Sequence, residues 1–227
     1  VSLFYNFIGN NNLNQRIKDS VSEIGSPVFR EYLFLNDKLT RMYNEMLIQN
    51  KNHVPEAGDV YPQIIVSNSY DGYLGAEVSF GLCLYDTTET RHSFGFRTKL
   101  SSFKQIHSQY ARTRLSTAVG DYINIVSENI IDLIKINFET KVTEQSLIST
   151  LDLVEKIGKR RRKEISDTLQ QITKDKDHIS CWDLFLAITR FSCIEKNLNA
   201  RVLLEDIVEA TLVIPTKMMD SLKEINS

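Results

Sequence analysis

The fold is decided by two neighbouring stretches, YLGAEVSFGLCLYD at residues 73–86 and RHSFGFRTKL at residues 91–100. Apolar residues alternate in both with polar or small ones, and the side chains of a β-strand point alternately to the two faces of its sheet. A third apolar stretch at about residues 60–68 precedes them across a short connection. Because both connections are short, we predict an antiparallel three-stranded meander.

The same alternation sorts the charges of the third strand. If Phe94 and Phe96 are buried, Arg91, Arg97 and Lys99 form one row on the solvent-exposed face. Residues 91–120 contain no Asp or Glu and have a net charge of +6, whereas residues 1–90 have a net charge of −5. A positive row on a chain of net charge −2 indicates an anionic partner, most commonly nucleic acid. The predicted phosphate contacts are Arg91, Arg97, Lys99, Lys104, Arg112 and Arg114.

A second basic run lies at the junction of two predicted helices and consists of Lys159, Arg160, Arg161, Arg162 and Lys163. A positive first turn opposes the helix dipole unless an anion is nearby, so we predict a second phosphate-binding patch here. A solvated helix start that happens to be basic is the alternative. Tyr85, on the predicted exposed face, is the candidate for stacking against a base.

The remaining segments have helical patterns of apolar residues. We predict helices at about 12–24 and 37–50, and a long helix that Ser101 or Ser102 caps and whose apolar face changes at Gly120. Five further helices follow, at about 144–157, 160–173, 181–194, 199–213 and 216–225, with Thr143, Gly158 and Ser180 as end signals. The prediction is one α+β domain: a helical segment 1–54, a sheet with a long helix at 55–138, and a helical part 139–227.

Composition excludes several classes of protein. No apolar run approaches the roughly 20 residues of a membrane helix, and no secretory signal pattern opens the chain. Cys83, Cys181 and Cys193 contain no CxxC pair, which is typical of free thiols in a reducing cytoplasm. His178 with Cys181 and Cys193 supplies too few ligands for zinc. Since no catalytic motif is present either, we expect no enzyme, no metal and no cofactor.

One motif carries a resemblance. Asn68-Ser69-Tyr70-Asp71-Gly72 resembles the Asn-Ser-x-Asp-Gly motif of the phage/plasmid-like domain-of-unknown-function family, although relatives often have His where this chain has Tyr70. The flanking residues 58–64 and the helical stretch 182–190 are similar to the same family, so the resemblance covers about 55–215. It implies a mobile genetic element and no particular activity. The residue types by themselves suit a tight turn, which is the structural alternative.

Together these observations predict a phage- or plasmid-encoded nucleic-acid-binding accessory protein. It would act in replication, recombination or strand annealing in the bacterial cytoplasm, and it would favour single-stranded DNA over duplex. The alternative is a protein-interaction module that inhibits or redirects a host defence or polymerase component. A host protein and a second copy of the chain stay open as partners, whereas a membrane is not expected. A deep pocket around Asn68, Asp71 and His92 would instead favour an enzyme.

Overall fold

The computed structural model of the protein describes residues 10–36, 41–55, 57–69, 77–96, 103–104 and 110–225. For residues 10, 11, 69, 103, 104 and 110–116 it describes the secondary structure alone. The chain is of the α+β class, as the sequence predicts.

The sheet is an antiparallel meander in which five strands follow one another in the order β1-β2-β4-β5-β6. The short strand β3 pairs beside β4, and β7 pairs beside β5. The predicted three-stranded meander corresponds to β4, β5 and β6 and is confirmed, within a larger sheet. The strands are β1 (Val28–Leu35), β2 (Arg41–Ile48), β3 (Asn52–Val54), β4 (Gly58–Ser69), β5 (Glu77–Tyr85), β6 (Arg91–Phe96) and β7 (Phe103–Lys104).

Seven helices are described, and five of them form the C-terminal half, as predicted. They are α1 (Asn10–Glu23), α2 (Tyr110–Glu139), α3 (Glu144–Ile157), α4 (Lys159–Ile172), α5 (Cys181–Ile194), α6 (Leu198–Thr211) and α7 (Thr216–Ile225). Among the described residues, no helix combines the length and the apolar character needed to cross a bilayer.

One face of the sheet, here called the convex face, carries Phe80, Phe94 and Phe96 and packs on helices. Phe94 and Phe96 are buried, as the alternation predicts. On α2, the Tyr122 ring stacks on Phe80 with centroids 4.5 Å apart, and its hydroxyl donates to the Gly81 carbonyl. Phe185 of α5 packs edge-on against Phe94 at 5.0 Å. The main core therefore lies between the sheet and these helices.

The opposite face, here called the concave face, carries Tyr43, Ile65 and Arg91 and is also covered. Helix α5 packs along the edge strand β6, and α6 then returns across the concave face. Leu198 of α6 forms a buried cluster with Tyr43 and Ile65. The prediction of an exposed sheet face is therefore wrong where α6 lies, because this helix shields the side chains that alternation alone assigns to solvent.

The predicted helix at 37–50 is wrong, since residues 41–48 form β2, and the segment 1–54 is therefore not wholly helical. Residues 42–48 are all buried, because β2 is a central strand with both faces covered. Its apolar residues Met42, Tyr43, Met46 and Leu47 flank Asn44 and Glu45, and this spacing matches a helix better than the alternation of a half-buried strand. The helix predicted at 12–24 is confirmed as α1.

The helix ends follow the predicted caps in part. The Thr143 side chain accepts a hydrogen bond from the Ser146 backbone N–H, and Ser180 forms a reciprocal capping box with Asp183. Gly158 ends α3, as predicted, and its φ of 161° is extended backbone. The long helix begins at Tyr110 rather than after Ser102, because β7 intervenes. It continues through Gly120 without a break.

Candidate nucleic-acid interface

The sheet coils so strongly that non-neighbouring strands meet over its concave face. Arg91 on β6 forms an ion pair with Glu45 on β2, although β4 and β5 lie between these strands. The hydroxyls of Tyr85 on β5 and Tyr32 on β1 are also hydrogen-bonded to each other. In a flat sheet strands three positions apart would be about 14 Å apart. Since strand side chains stand roughly perpendicular to the sheet, these contacts indicate that the right-handed twist curls the sheet over its concave face.

Arg91 does not belong to an exposed basic row. Its side chain is only 14% exposed, and its guanidinium lies 3.5 Å from the centre of the Tyr32 ring. Burial lowers the pKa of Arg91, although the carboxylate of Glu45 compensates its charge. The predicted exposed position of Arg91 is therefore wrong, because its side chain pairs with Glu45 and packs on Tyr32.

A buried charge network, made of Glu45, Arg91, Arg201, Glu205 and Tyr43, fills the concave face under α6. Arg201 pairs with Glu45 and lies 3.4 Å from Glu205, and all three side chains are fully buried. The Tyr43 hydroxyl donates to Glu205 at 2.6 Å. Two arginines and two glutamates balance in charge, as buried ions must. The network fixes α6 on the sheet.

Beyond α6 the concave face carries a group of aromatic side chains around one arginine, here called the aromatic–arginine cluster. The Phe29 and Tyr61 rings are 5.0 Å apart, and the Tyr61 and Tyr85 rings are 5.9 Å apart and perpendicular. The Arg30 guanidinium lies 5.7 Å from the centre of the Tyr85 ring and 5.9 Å from that of Phe29. The cluster consists of Phe29, Arg30, Tyr32, Tyr61 and Tyr85.

The cluster offers solvent both a cation and ring surface. Phe29 is 42% exposed, Arg30 is exposed, and the three tyrosines are half-buried. Arg30 donates a hydrogen bond of 3.0 Å to the Tyr85 hydroxyl, and its hydrogen bonds to Tyr85 and Tyr32 raise its pKa. Burial and the hydrogen bond to Tyr32 raise the pKa of Tyr85, so its ring stays neutral. Such a surface can hold a phosphate and stack a base at the same time.

The other residues of the predicted row are not placed by the structure. Arg97 and Lys99 lie outside the described residues. Lys104 belongs to β7, and Arg112 and Arg114 belong to the first turns of α2, but their side chains are not among those described. Their contact with phosphate stays a prediction.

The basic run at the start of α4 divides into paired and exposed residues. Arg161 binds Glu195 at 2.5 Å, which joins α4 to the end of α5, and Arg162 binds Glu155 of α3. Lys159, Arg160 and Lys163 are exposed, and Arg160 lies 2.8 Å from Glu164. The run therefore acts partly as a structural clamp between helices, and only its exposed members can meet an external anion.

The motif residues Asn68 to Gly72 are described only at their beginning. Asn68 is buried within β4, opposite Met42, and Ser69 ends the strand opposite Arg41. Asp71 and Gly72 lie outside the described residues, so the turn itself stays a prediction.

His92 is not in an open pocket. Its Nε2 lies 3.0 Å from Asp86 Oδ2 and its Nδ1 3.0 Å from Thr189 Oγ1. Carboxylate, imidazole and hydroxyl in this order have the composition of a hydrolytic triad. The Thr189 hydroxyl is fully buried, however, and donates to the Phe185 carbonyl of its own helix. The arrangement is better explained as a polar connection between the β5–β6 turn and α5.

The cysteines supply no metal centre in the described part of the chain, where no three His, Cys, Asp or Glu side chains converge on a common point. Cys83 and Cys181 are buried, and burial raises the pKa of both thiols.

Sequence reasoning missed Phe29, Arg30 and Tyr61 as site residues. The signal was present in VFREYLFL at 28–35, a short run rich in aromatic and apolar residues that also contains Arg30 and Glu31, as in a partly exposed strand. Tyr61 lies 31 positions beyond Arg30 along the chain, so the convergence of these residues needed the register of β1, β2 and β4.

The fold and this surface define an α+β protein with a coiled antiparallel meander and an aromatic–arginine cluster on its concave face. No protein-family model, no curated protein and no solved structure matches the chain.

Proposed function

We propose that the protein binds single-stranded nucleic acid through the aromatic–arginine cluster. The observation that carries the proposal is the exposed Arg30 guanidinium between the Phe29 and Tyr85 rings, with Tyr61 completing the surface. Aromatic faces bind any base by stacking, and a cation beside them binds the phosphate backbone. The cluster supports nucleic acid as the partner, which the sequence also predicts. Its residues lie on β1, β4 and β5, however, and not in the predicted basic row.

Single strands fit this surface better than duplex. Bases in a duplex are stacked on one another and present only their edges in the grooves, whereas a single strand can offer base faces to exposed rings. The exposed residues Lys159, Arg160 and Lys163 would add phosphate contacts if the strand reaches α4. The resemblance to the phage/plasmid-like family supports a mobile genetic element as the context of this binding. We propose replication, recombination or strand annealing in the bacterial cytoplasm as the processes in which it would act.

The test is fluorescence anisotropy with a labelled single-stranded oligonucleotide and the matching duplex over a salt series. We expect Tyr61→Ala to weaken single-strand binding by about 1–3 kcal/mol, the contribution of one stacked base. Arg30→Ala should weaken binding and reduce the slope of log K against log salt by about 0.7, since one phosphate contact is lost.

Two controls change exposed side chains outside the cluster. Arg16→Ala on α1 removes an arginine and Ile131→Ala on α2 removes an apolar side chain, and both should leave the affinity unchanged. Absence of single-strand binding at low salt would contradict the proposal. If Arg30→Ala and Tyr61→Ala both leave binding intact, the contact surface would instead include Lys99, Lys104 or the basic run at the start of α4.

A protein-interaction module is the second candidate, and the edge strand β1 favours it. Leu33 and Leu35 on this strand are 54% and 43% exposed. An edge strand with exposed apolar side chains can pair with another chain. A pull-down from host lysate after nuclease treatment separates the two candidates. A stoichiometric protein partner that Leu33→Lys abolishes would favour the interaction module, whereas loss of all bound material on nuclease treatment would favour nucleic acid.

A further inference from the structure

A groove of about 440 Å³ lies between α3 and α6, away from the aromatic–arginine cluster. Its floor is the start of α5, and its rim is the segment 140–143 that joins α2 to α3. This segment is held firmly, because the Val142 N–H donates to the Ile179 carbonyl and the Cys181 N–H donates to the Thr140 carbonyl, each at 2.9 Å. The groove is thus bounded on every side by regular or hydrogen-bonded backbone.

The lining combines an apolar floor with polar walls. Leu184 and Ile207 are buried at the floor, and Leu153 on α3 is 42% exposed at the mouth. Hydroxyl and amide groups stand on the α3 side, among them Gln145 and Ser149, both exposed to solvent. Ligand sites commonly have this volume and this mixture of apolar surface with a few convergent polar groups.

The charge on the lining of the groove is positive. Lys141 is the only charged residue among those that line the groove within the described part of the chain. The first turn of α3 also borders it, and the partial positive charge at the amino end of this helix is offset by Glu144 in that turn, which leaves Lys141 as the charge that a ligand would meet. Cys181 adds no negative charge at neutral pH, because burial raises the pKa of its thiol. A ligand with one negative charge would therefore be matched, and a cationic one opposed.

We infer that this groove binds a small ligand that carries one acidic group on a compact apolar body. The acidic group would meet Lys141 and the hydroxyls of α3, and the apolar body would lie on Leu184 and Ile207. This inference does not depend on nucleic-acid binding, since it rests on a different surface.

The probe is 1-anilinonaphthalene-8-sulfonate, which has one sulfonate on an apolar body and fluoresces when it leaves water. Titration of the full chain should give saturable binding of one molecule, with amide shifts in a ¹H–¹⁵N spectrum confined to residues 140–153 and their neighbours on α6. Lys141→Met should weaken binding about tenfold, as expected for a lost charge-assisted hydrogen bond. Ala210→Trp, at an exposed position in the groove, should abolish it by filling the space.

The matched control is Ile194→Ser, which removes the most exposed apolar side chain of a different groove, between α4 and α5. This variant should bind the probe as the parent protein does. Failure to saturate at millimolar probe, binding unchanged by Ala210→Trp, or amide shifts centred on another surface would each overturn the inference.

Discussion

Arg91 on β6 and Glu45 on β2 form an ion pair across two intervening strands. In a flat sheet these strands would be about 14 Å apart, and side chains that stand roughly perpendicular to the sheet would not meet over that distance. The pair therefore indicates that the sheet coils until its two edges approach each other over the concave face. This curvature also brings Tyr32 to Tyr85 and creates the aromatic–arginine cluster.

The first prediction concerns the buried charge network. Arg201→Ala would leave Glu45 and Glu205 buried without this partner, and removing one member of a buried ion pair typically costs about 3–5 kcal/mol. We expect the free energy of unfolding, measured by urea denaturation, to fall by this amount. Arg16→Ala, on an exposed face of α1, should change it by no more than about 0.5 kcal/mol. A loss of under about 1 kcal/mol for Arg201→Ala would show that the network does not hold α6 in place.

The second prediction compares two glycines. A Cβ on Gly81 would stand 2.2 Å from the Phe94 carbonyl oxygen, a backbone atom that cannot move without breaking the β5–β6 ladder. Gly81→Ala should therefore cost about 3 kcal/mol or more, at the upper end of overpacking effects. Gly120→Ala is the control, because a Cβ there meets nothing closer than Ile24 at 4.0 Å. In a helix this change should stabilise by about 0.5–1 kcal/mol. Thermal unfolding followed by circular dichroism would show melting temperatures that move in opposite directions; equal shifts would refute the packing at Gly81.

The third prediction tests the capping box of α5. Ser180→Ala removes the side chain that accepts the Asp183 backbone N–H at 3.1 Å, and such a change costs about 1 kcal/mol. Ser180→Thr keeps the oxygen and should retain most of the stability. Chemical denaturation of both variants measures the difference. If the two variants are equally destabilised, the side-chain hydrogen bond is not the cause.

The fourth prediction is a dependence of stability on pH that arises from His92. Burial lowers the pKa of His92 despite its hydrogen bond to Asp86, so the unfolded chain binds a proton more readily than the folded one. The free energy of unfolding should therefore fall as the pH drops from about 7 through the unfolded value of about 6.5. Asp86 stays ionised in this window, because the hydrogen bonds from His92 and Thr88 outweigh its burial and lower its pKa.

Urea denaturation at several pH values between neutral and mildly acidic measures this slope. His92→Gln should flatten it in that window, since glutamine does not titrate. A parent protein that becomes more stable on acidification would contradict the assignment.

Local sequence signals determined much of the fold. Alternation placed Phe94 and Phe96 on one face of a strand, and the cap residues Thr143 and Ser180 gave the starts of α3 and α5. These signals depend on neighbours within a few residues, whose physics is the same in any protein. The excess of basic over acidic residues at 91–120 is also a property of the sequence alone.

Only the tertiary structure decided what lies above each face. Alternation correctly placed Arg91 on the face opposite to that of Phe94. It does not show whether water or another element covers that face, and the covering helix α6 lies more than 100 residues further along the chain. For the same reason the sequence predicts a helix where β2 lies. A strand that is buried on both faces does not alternate between apolar and polar residues, so its period of two is absent from the sequence. The coil of the sheet, and with it the meeting of Arg30, Tyr61 and Tyr85, arises from twist accumulated over five strands. No local segment contains that information.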